Sequence, residues 1–447
     1  MNIESHKYNA KHQTGLKVIF RSLRYRNYRL FFGGQSISLI GTWIQRIAMP
    51  WLVYRMSGSE FLLGVVGFAG QIPTFLFASF AGVLSDRLNR YHILITTQVL
   101  AMVQALVLAA LFFSSRLQVN HIVILSIILG CINAFDIPAR QALVKDLVEK
   151  KEDLGNAIAL NSSMVNAARL VGPSIAGVLI ASVGEGVCFL LNGLTYIFVI
   201  VSLLFMKLKP WKRVNMQSKI LADLKEGFSY TFGFAPIRSI ILLLALISLM
   251  GMPYAVLMPV FAKEILHGGA HTYGFLMGAS GIGALTGAIF LASRRGVIGF
   301  GKIIPLSAGL FGLGIIVFSL SRFFLLSLAM MVAAGFGMML QMASGNTIIQ
   351  TIVDDDKRGR VMSIFAMAFI GTMPFGSFLA GSIASLIGAP NTLLIGGTLC
   401  VTGAVVFGRK LAELKKIVRP IYVRLGIIPE VAEGISTASE LSVPPED

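Results

Sequence analysis

Apolar runs of eighteen residues or more recur along this 447-residue chain, divided by short polar or charged breaks. Each run is long enough to cross a hydrocarbon layer of about 30 Å as a helix. The pattern predicts about twelve spans, over 28–55, 60–85, 92–115, 120–147, 154–183, 186–207, 237–262, 271–294, 300–320, 323–352, 359–388 and 391–408. Several exceed the minimum length, so tilt or extension beyond the bilayer is expected.

The longest break falls in the middle and fixes the expected organisation. A cytoplasmic N-terminal segment (1–27) precedes a six-helix bundle (28–208), then a linker (209–236), a second six-helix bundle (237–408) and a tail (409–447) expected to be partly disordered. In the linker, Ile220, Leu221, Leu224 and Phe228 recur at helical intervals, which predicts an amphipathic helix on the membrane face. The halves echo one another at a shift of 205 residues: Gly130 with Gly335 and Val148 with Val353. Farther on, at a shift of 204, "GPSIAG" (Gly172–Gly177) is matched by "GSFLAG" (Gly376–Gly381). Weak repetition of a six-helix unit is what parallel-repeat transporters show.

Composition agrees with the spans. Hydrophobic residues make up 55% of the chain and charged ones 13%, too few to cover a soluble fold of this length. The expected class is an all-α integral membrane protein of twelve transmembrane helices in two pseudo-symmetric six-helix bundles. A net charge of +17 could suggest nucleic acid, but the positions of the 38 Lys and Arg residues argue otherwise. Only Arg55, Arg116, Lys263 and Arg322 fall at the odd-numbered loops, and only Arg46, Arg140 and Arg169 lie deep within spans, away from their ends. The rest lie in the N-terminal segment, the even-numbered loops, the start of span 7 and the tail. That asymmetry places both termini in the cytoplasm and assigns the charge to topology, with no nucleic-acid partner. No cleavable signal peptide is expected, since the first 27 residues are polar and basic. Cys131, Cys188 and Cys400 are scattered, and His267 and His271 lie in a glycine-rich loop, so neither a disulfide framework nor a metal or other cofactor site is expected.

Ionisable residues inside a span are costly and so point to function. Asp136 and Arg140 lie one turn apart on span 4 with Pro138 between them, and Arg169 on span 5 is placed to reach Asp136. The three form a candidate proton or charge network; a permanent ion pair pinning spans 4 and 5 is the alternative. Gln341 stands at the place of Asp136 in the second half, so the charge chemistry is expected in the first. Arg46, beside Trp43 and Gln45, either meets an anionic substrate or snorkels outward, and snorkelling is the simpler reading. Gln35, Gln71, Asn133, Asn161, Asn166, Asn192, Tyr254, Gln341 and Asn346 are candidate cavity groups, because an amide or phenol facing lipid is unfavourable.

The break after span 2 reads "GVLSDRLNRYH", with Gly82, Leu84, Asp86, Arg87 and Arg90 at fixed spacing. This resembles the loop signature of the major facilitator superfamily, with Asn89 in place of a glycine and Tyr91 in place of a base. On this reading Gly82 permits close approach of a neighbouring helix, Asp86 meets a helix N-terminus, and Arg87 and Arg90 pair with Asp146. The cluster then latches the cytoplasmic side, and Asn89 supplies a tolerated left-handed turn. Ala168, Gly172, Pro173, Ala176 and Gly177 on span 5 resemble an antiporter motif of the same superfamily, in which small residues allow tight helix packing. "RNYRLFFGGQSISLIGTWIQ" (26–45), "FDIPARQALVKDLV" (135–148) and "NAIALNSSMVNAARLVGPSIAG" (156–177) are similar to the enterobactin-exporter-like, transmembrane secretion effector branch.

The resemblance implies the major facilitator fold in a bacterial inner (plasma) membrane. It also implies a monomeric secondary transporter that exports a small amphiphile, such as a siderophore, macrolide or other drug-like compound, in exchange for protons by alternating access. Lipid or lysolipid flipping, or a channel or receptor without turnover, are the competing expectations. An enzyme is not expected: "GVIGFGKI" lacks the Ser/Thr of a phosphate loop, "GIGALTG" follows no strand, and no hydrolase or zinc motif occurs.

Overall fold

The computed structural model describes residues 20–208, 220–294 and 296–428, apart from the side chains at 78–79, 83, 85–87 and 220–225. Among these residues the chain is helical and contains no strand. The long helices are α1 (Arg26–Ser57), α2 (Glu60–Arg87), α3 (Arg90–Phe113), α4 (Val119–Leu143), α5 (Lys151–Val183), α6 (Glu185–Leu204) and, in the linker, α7 (Ile220–Gly233). There follow α8 (Ala235–Ile265), α9 (Ala270–Ala292), α10 (Phe300–Leu320), α11 (Phe324–Ile352), α12 (Arg358–Ile387) and α13 (Ala389–Arg424).

Eleven of the described helices are long and apolar enough to cross a membrane. The expected twelfth span, α1, has 32 residues but not the hydropathy. Gln35, Ser36, Ser38, Thr42, Gln45 and Arg46 dilute its apolar face. A helix enclosed by its neighbours can carry such a polar stripe, since it need not be apolar all round.

Packing divides the chain into two compact units, Met1–Met49 with Leu76–Asn215, and Pro50–Phe75 with Met216–Asp447. This differs from the division by sequence, because the outer parts of α1 and α2 are counted with the second half. Both boundaries fall beside a helical proline, Pro50 in α1 and Pro73 in α2. A proline there removes one intrahelical hydrogen bond.

The first unit is built on Tyr28, Phe31, Leu94, Ala105, Val199 and Leu203, all fully buried. Its N-terminal edge is closed by a short 3₁₀ turn, Arg21–Arg24, strapped to the start of α5. Asp153 is buried there and accepts from Tyr25 Oη at 2.6 Å, from Arg21 Nε at 2.9 Å and from Arg24. Ser22 Oγ donates to Asn156 Oδ1 at 2.7 Å, and Arg21 donates to the Glu152 carbonyl at 2.8 Å. The hydrogen bond to Tyr25, with the charge of Asp153 adding to it, raises the Arg24 guanidinium above its ordinary value. Two bases of the N-terminal run thus hold a fold contact.

In the second unit, spans 7 and 11 are not the uninterrupted helices expected. π-helical turns occur at Ile247–Gly251 and Phe261–Ile265 in α8 and at Met367–Gly371 in α12. Pro253, Pro259 and Pro374 follow or separate them. A proline ring clashes with the carbonyl four residues back, and a widened turn relieves it. Span 12 also runs past its expected end at 408 to Arg424 as one 36-residue helix. The bases from Arg409 onward end the apolar window without breaking the helix, and Leu414 is still buried.

The amphipathic helix of the linker forms over Ile220–Gly233. Glu226 pairs with Arg360 at 2.8 Å and Tyr230 donates to Asp354 at 3.3 Å, tying α7 to the start of α12. Burial, with the charge of Asp354 adding to it, raises the Tyr230 phenol. Phe228 is exposed and stacks on Phe232, whereas the side chains of Ile220, Leu221 and Leu224 lie outside the described residues. The expectations for the far N-terminus and for the tail beyond 428 lie there too.

The internal repeat has a packing counterpart. A Cβ added at Gly172 on α5 would overlap Trp43 of α1, and one added at Gly376 on α12 would overlap the Leu249 carbonyl of α8. Fifth span on first and eleventh on seventh are the same contact, made once in each unit by the glycines that the two hexapeptides share.

Candidate functional site

Asp136 lies in the interior of the first unit, 6% exposed. Gln98 Nε2 donates to its Oδ1 at 2.6 Å and Thr97 Oγ1 to the same oxygen at 3.0 Å. Arg140 Nε stands 3.4 Å from Oδ2, one turn along α4. Thr97 and Gln98 were not singled out by sequence. They were legible as adjacent polar residues inside an apolar span, which must face protein or water.

Arg169 is not on Asp136, contrary to the expectation for span 5. Its guanidinium lies over the Trp43 ring, 6.0 Å from the centroid. Gly172, one turn further along α5, brings Trp43 against that helix, and the indole face gives the cation a partner there. Arg46 shares the ring at 5.0 Å. The Arg46 side chain lies back over the indole three residues earlier in α1 and stays exposed. The charges that act on Arg46 include those of Arg140 and Arg169.

Beside this group runs a chain of buried amides. Asn192 Nδ2 donates to Gln45 Oε1 at 2.7 Å, and Gln45 Nε2 donates to Gln104 Oε1 at 3.1 Å. Gln104 Nε2 in turn donates to the Leu125 carbonyl at 3.3 Å. The chain joins α6, α1, α3 and α4 in one polar seam. Such a seam fixes register, because separating any pair strands a buried amide.

Of the other cavity candidates in the first unit, Gln35 and Asn161 each hold a buried carbonyl oxygen without a protein partner. Asn133 is half-buried, and Asn166 donates to the Ser162 carbonyl of its own helix at 2.9 Å. In the second unit Gln341 is buried with both side-chain polar atoms unpartnered. Asn346 accepts from Gln350 at 2.5 Å, and Gln71 donates to the Gly67 carbonyl at 3.0 Å and to Ser377 at 3.3 Å. Tyr254 is buried, with its hydroxyl on Ser280 at 2.7 Å.

At the loop after α2, Arg90 Nη1 stands 3.5 Å from Asp146 Oδ2. The side chains of Asp86 and Arg87 lie outside the described residues. Two expectations are corrected here. A Cβ added at Gly82 meets no described atom within 4 Å, so this glycine makes no close helix approach in this conformation. Asn89 is extended, at φ −69°, and caps α3 by accepting from the Tyr91 N–H at 3.0 Å. An Asn side chain at an N-cap satisfies a free backbone donor, which explains the residue without a left-handed turn. Tyr91 donates its hydroxyl to the Leu203 carbonyl at 3.0 Å, anchoring α3 to α6 where a base was lost. On α5, Ala168, Gly172, Pro173, Ala176 and Gly177 are all buried, as a packing seam requires.

The family model of transmembrane secretion effectors matches residues 18–419. The chain belongs to that family. The chain is 26% identical to a staphyloferrin A transporter of Staphylococcus aureus, over 87% of its own length and 97% of that protein. It is 24% identical to macrolide efflux protein A of Streptococcus pyogenes, over 86% and 96% of the two chains. It is also 24% identical to the multidrug efflux pump Tap of Mycolicibacterium fortuitum, over 85% and 95%. Among solved structures it is similar to a POT family transporter, with a TM-score of 0.69 at 12% identity, covering 87% of this chain and 96% of that one. An inward-facing bacterial homologue of the lysosomal transporter Spinster gives 0.65 at 14% identity, over 88% and 98%. The fold is that of the major facilitator superfamily. The protein is a multi-pass membrane transporter of small molecules, from an efflux family, and not an enzyme.

Proposed function

We propose that this protein is a proton-driven exporter of a small amphiphilic molecule, working by alternating access as a monomer in the bacterial plasma membrane with both termini cytoplasmic. The observation that carries the proton coupling is Asp136, a buried carboxylate at membrane depth held by two neutral donors and one guanidinium. Arg140 Nε stands 3.4 Å from Oδ2, so gain and loss of a proton on the carboxylate would break and remake this ion pair. Gln98 and Thr97 stay hydrogen-bonded to whichever form is present.

Relatives named for staphyloferrin A, for macrolides and for multidrug efflux support a cargo in the siderophore, macrolide or drug-like range. In this account Gly82, Asp86, Arg87 and Arg90 with Asp146 form the cytoplasmic latch, and Ala168, Gly172, Pro173, Ala176 and Gly177 form the seam about which α5 is held to α1. The test is export of a panel of such compounds from everted or intact cells, with the proton gradient present and collapsed. Asp136→Asn is expected to abolish the gradient-dependent part. Full proton-coupled export by that variant would overturn the relay.

A further inference from the structure

The first unit carries more positive than negative charge at membrane depth. Arg46, Arg140 and Arg169 stand against Asp136, which is already engaged by Arg140. Counted from Ser57 along α1, Arg46 lies about 16 Å below the outer end of the helix, and Arg169 about 21 Å from Val183 along α5. Among the described residues neither meets a carboxylate within 4 Å. Arg46 is exposed and Arg169 half-buried, and a charged side chain at this depth turns to water or protein, because facing lipid costs too much.

Both guanidiniums rest on one indole, at 5.0 and 6.0 Å from its centroid. That indole is fixed. Trp43 packs into the space left by Gly172 and against Leu39, Met164 and Ala168. Two like charges gathered on a rigid platform repel one another, and an anion lying across them removes the repulsion. Guanidinium forks match carboxylates in shape as well as sign.

We propose that Arg46 and Arg169, presented on Trp43, bind the carboxylate groups of an anionic cargo, so that the exported amphiphile is a carboxylate or polycarboxylate. This rests on the export reading above and names the class of its substrate.

The test uses the full chain in nanodiscs of phosphatidylcholine, with Trp51→Phe and Trp211→Phe leaving Trp43 as the only tryptophan, titrated with citrate at matched ionic strength. A saturable change in Trp43 emission is expected. Arg46→Gln or Arg169→Gln should weaken it about tenfold to a hundredfold, the value of a charge-assisted hydrogen bond, and the pair together should abolish it. A thermal melt of the chain with its native tryptophans gives a second readout: citrate should stabilise it, and the double arginine variant should melt without that gain. No saturable response to citrate in either measurement, or one indifferent to both arginines, overturns the proposal. So does an arginine-dependent response to added phosphatidylglycerol with none to citrate, which would make the site a lipid headgroup site. Gradient-dependent export of any compound without citrate binding would sink the anion site and leave export standing. Arginine-dependent citrate binding with no compound exported would do the reverse.

Discussion

Asp153→Asn should loosen the N-terminal strap of the first unit, and the size of the effect can be worked from its contacts. The carboxylate is buried and accepts from Tyr25 at 2.6 Å, Arg21 at 2.9 Å and Arg24. Arg21 and Arg24 are 42% and 52% exposed, so water screens both pairs and each contributes at most about 1 kcal/mol. The Tyr25 bond to a buried anion contributes about 1.5–3 kcal/mol. An amide keeps one acceptor and loses the charge, so a net loss of about 2 kcal/mol is expected. That is about a 30-fold rise in local opening. Hydrogen exchange of the amides over residues 22–29 should therefore speed up by that factor, while the interior of α3 is unchanged. Tyr25→Phe should give a smaller rise. Glu152→Gln should give none, since Arg21 uses only the Glu152 backbone carbonyl. Unchanged protection in Asp153→Asn, or equal effects in Glu152→Gln, would refute the reasoning.

Gly172→Ala should cost about 1–3 kcal/mol by overpacking, because the new methyl overlaps Trp43; a lower melting temperature with shifted tryptophan emission would show it. Gly82→Ala should fold with stability within about 0.5 kcal/mol of the parent, since no described atom crowds it, and a thermal melt checks this. Arg90→Asp should raise the population of cytoplasm-open molecules, read by cysteine accessibility on that side, and adding Asp146→Arg should restore the balance. Failure of the double swap to restore it would remove the Arg90–Asp146 contact from the latch.

The all-helical membrane class and the superfamily were legible in sequence, because hydropathy is set by the bilayer and not by tertiary detail, whereas packing counts residues 50–75 with the second unit, which the sequence division did not. The polar first span is instructive. α1 was recognised from length and position, although its own hydropathy falls short, and its polar stripe marks the helix that carries Gln45 and Arg46. What sequence could not give was which of several partners a side chain chooses. Arg169 had Asp136 and Trp43 within plausible reach, and the choice depended on Gly172 bringing the indole close. Asp153 went unremarked because it sits at a span boundary, where an acid in the first turn of a helix looks ordinary. Asn89 and Gly82 show a related limit: a motif position names a residue's usual use, while an N-cap or an open neighbourhood is a property of the fold.

The central claim is that Asp136 couples export to the proton gradient. Its most direct test is accumulation of siderophore, macrolide and drug-like compounds in cells with and without the protein, before and after the gradient is collapsed. Lower accumulation in cells with the protein is predicted for at least one compound, lost on collapse and lost in Asp136→Asn. Extrusion that survives collapse, or an Asp136→Asn variant that keeps gradient-dependent extrusion, would contradict the account.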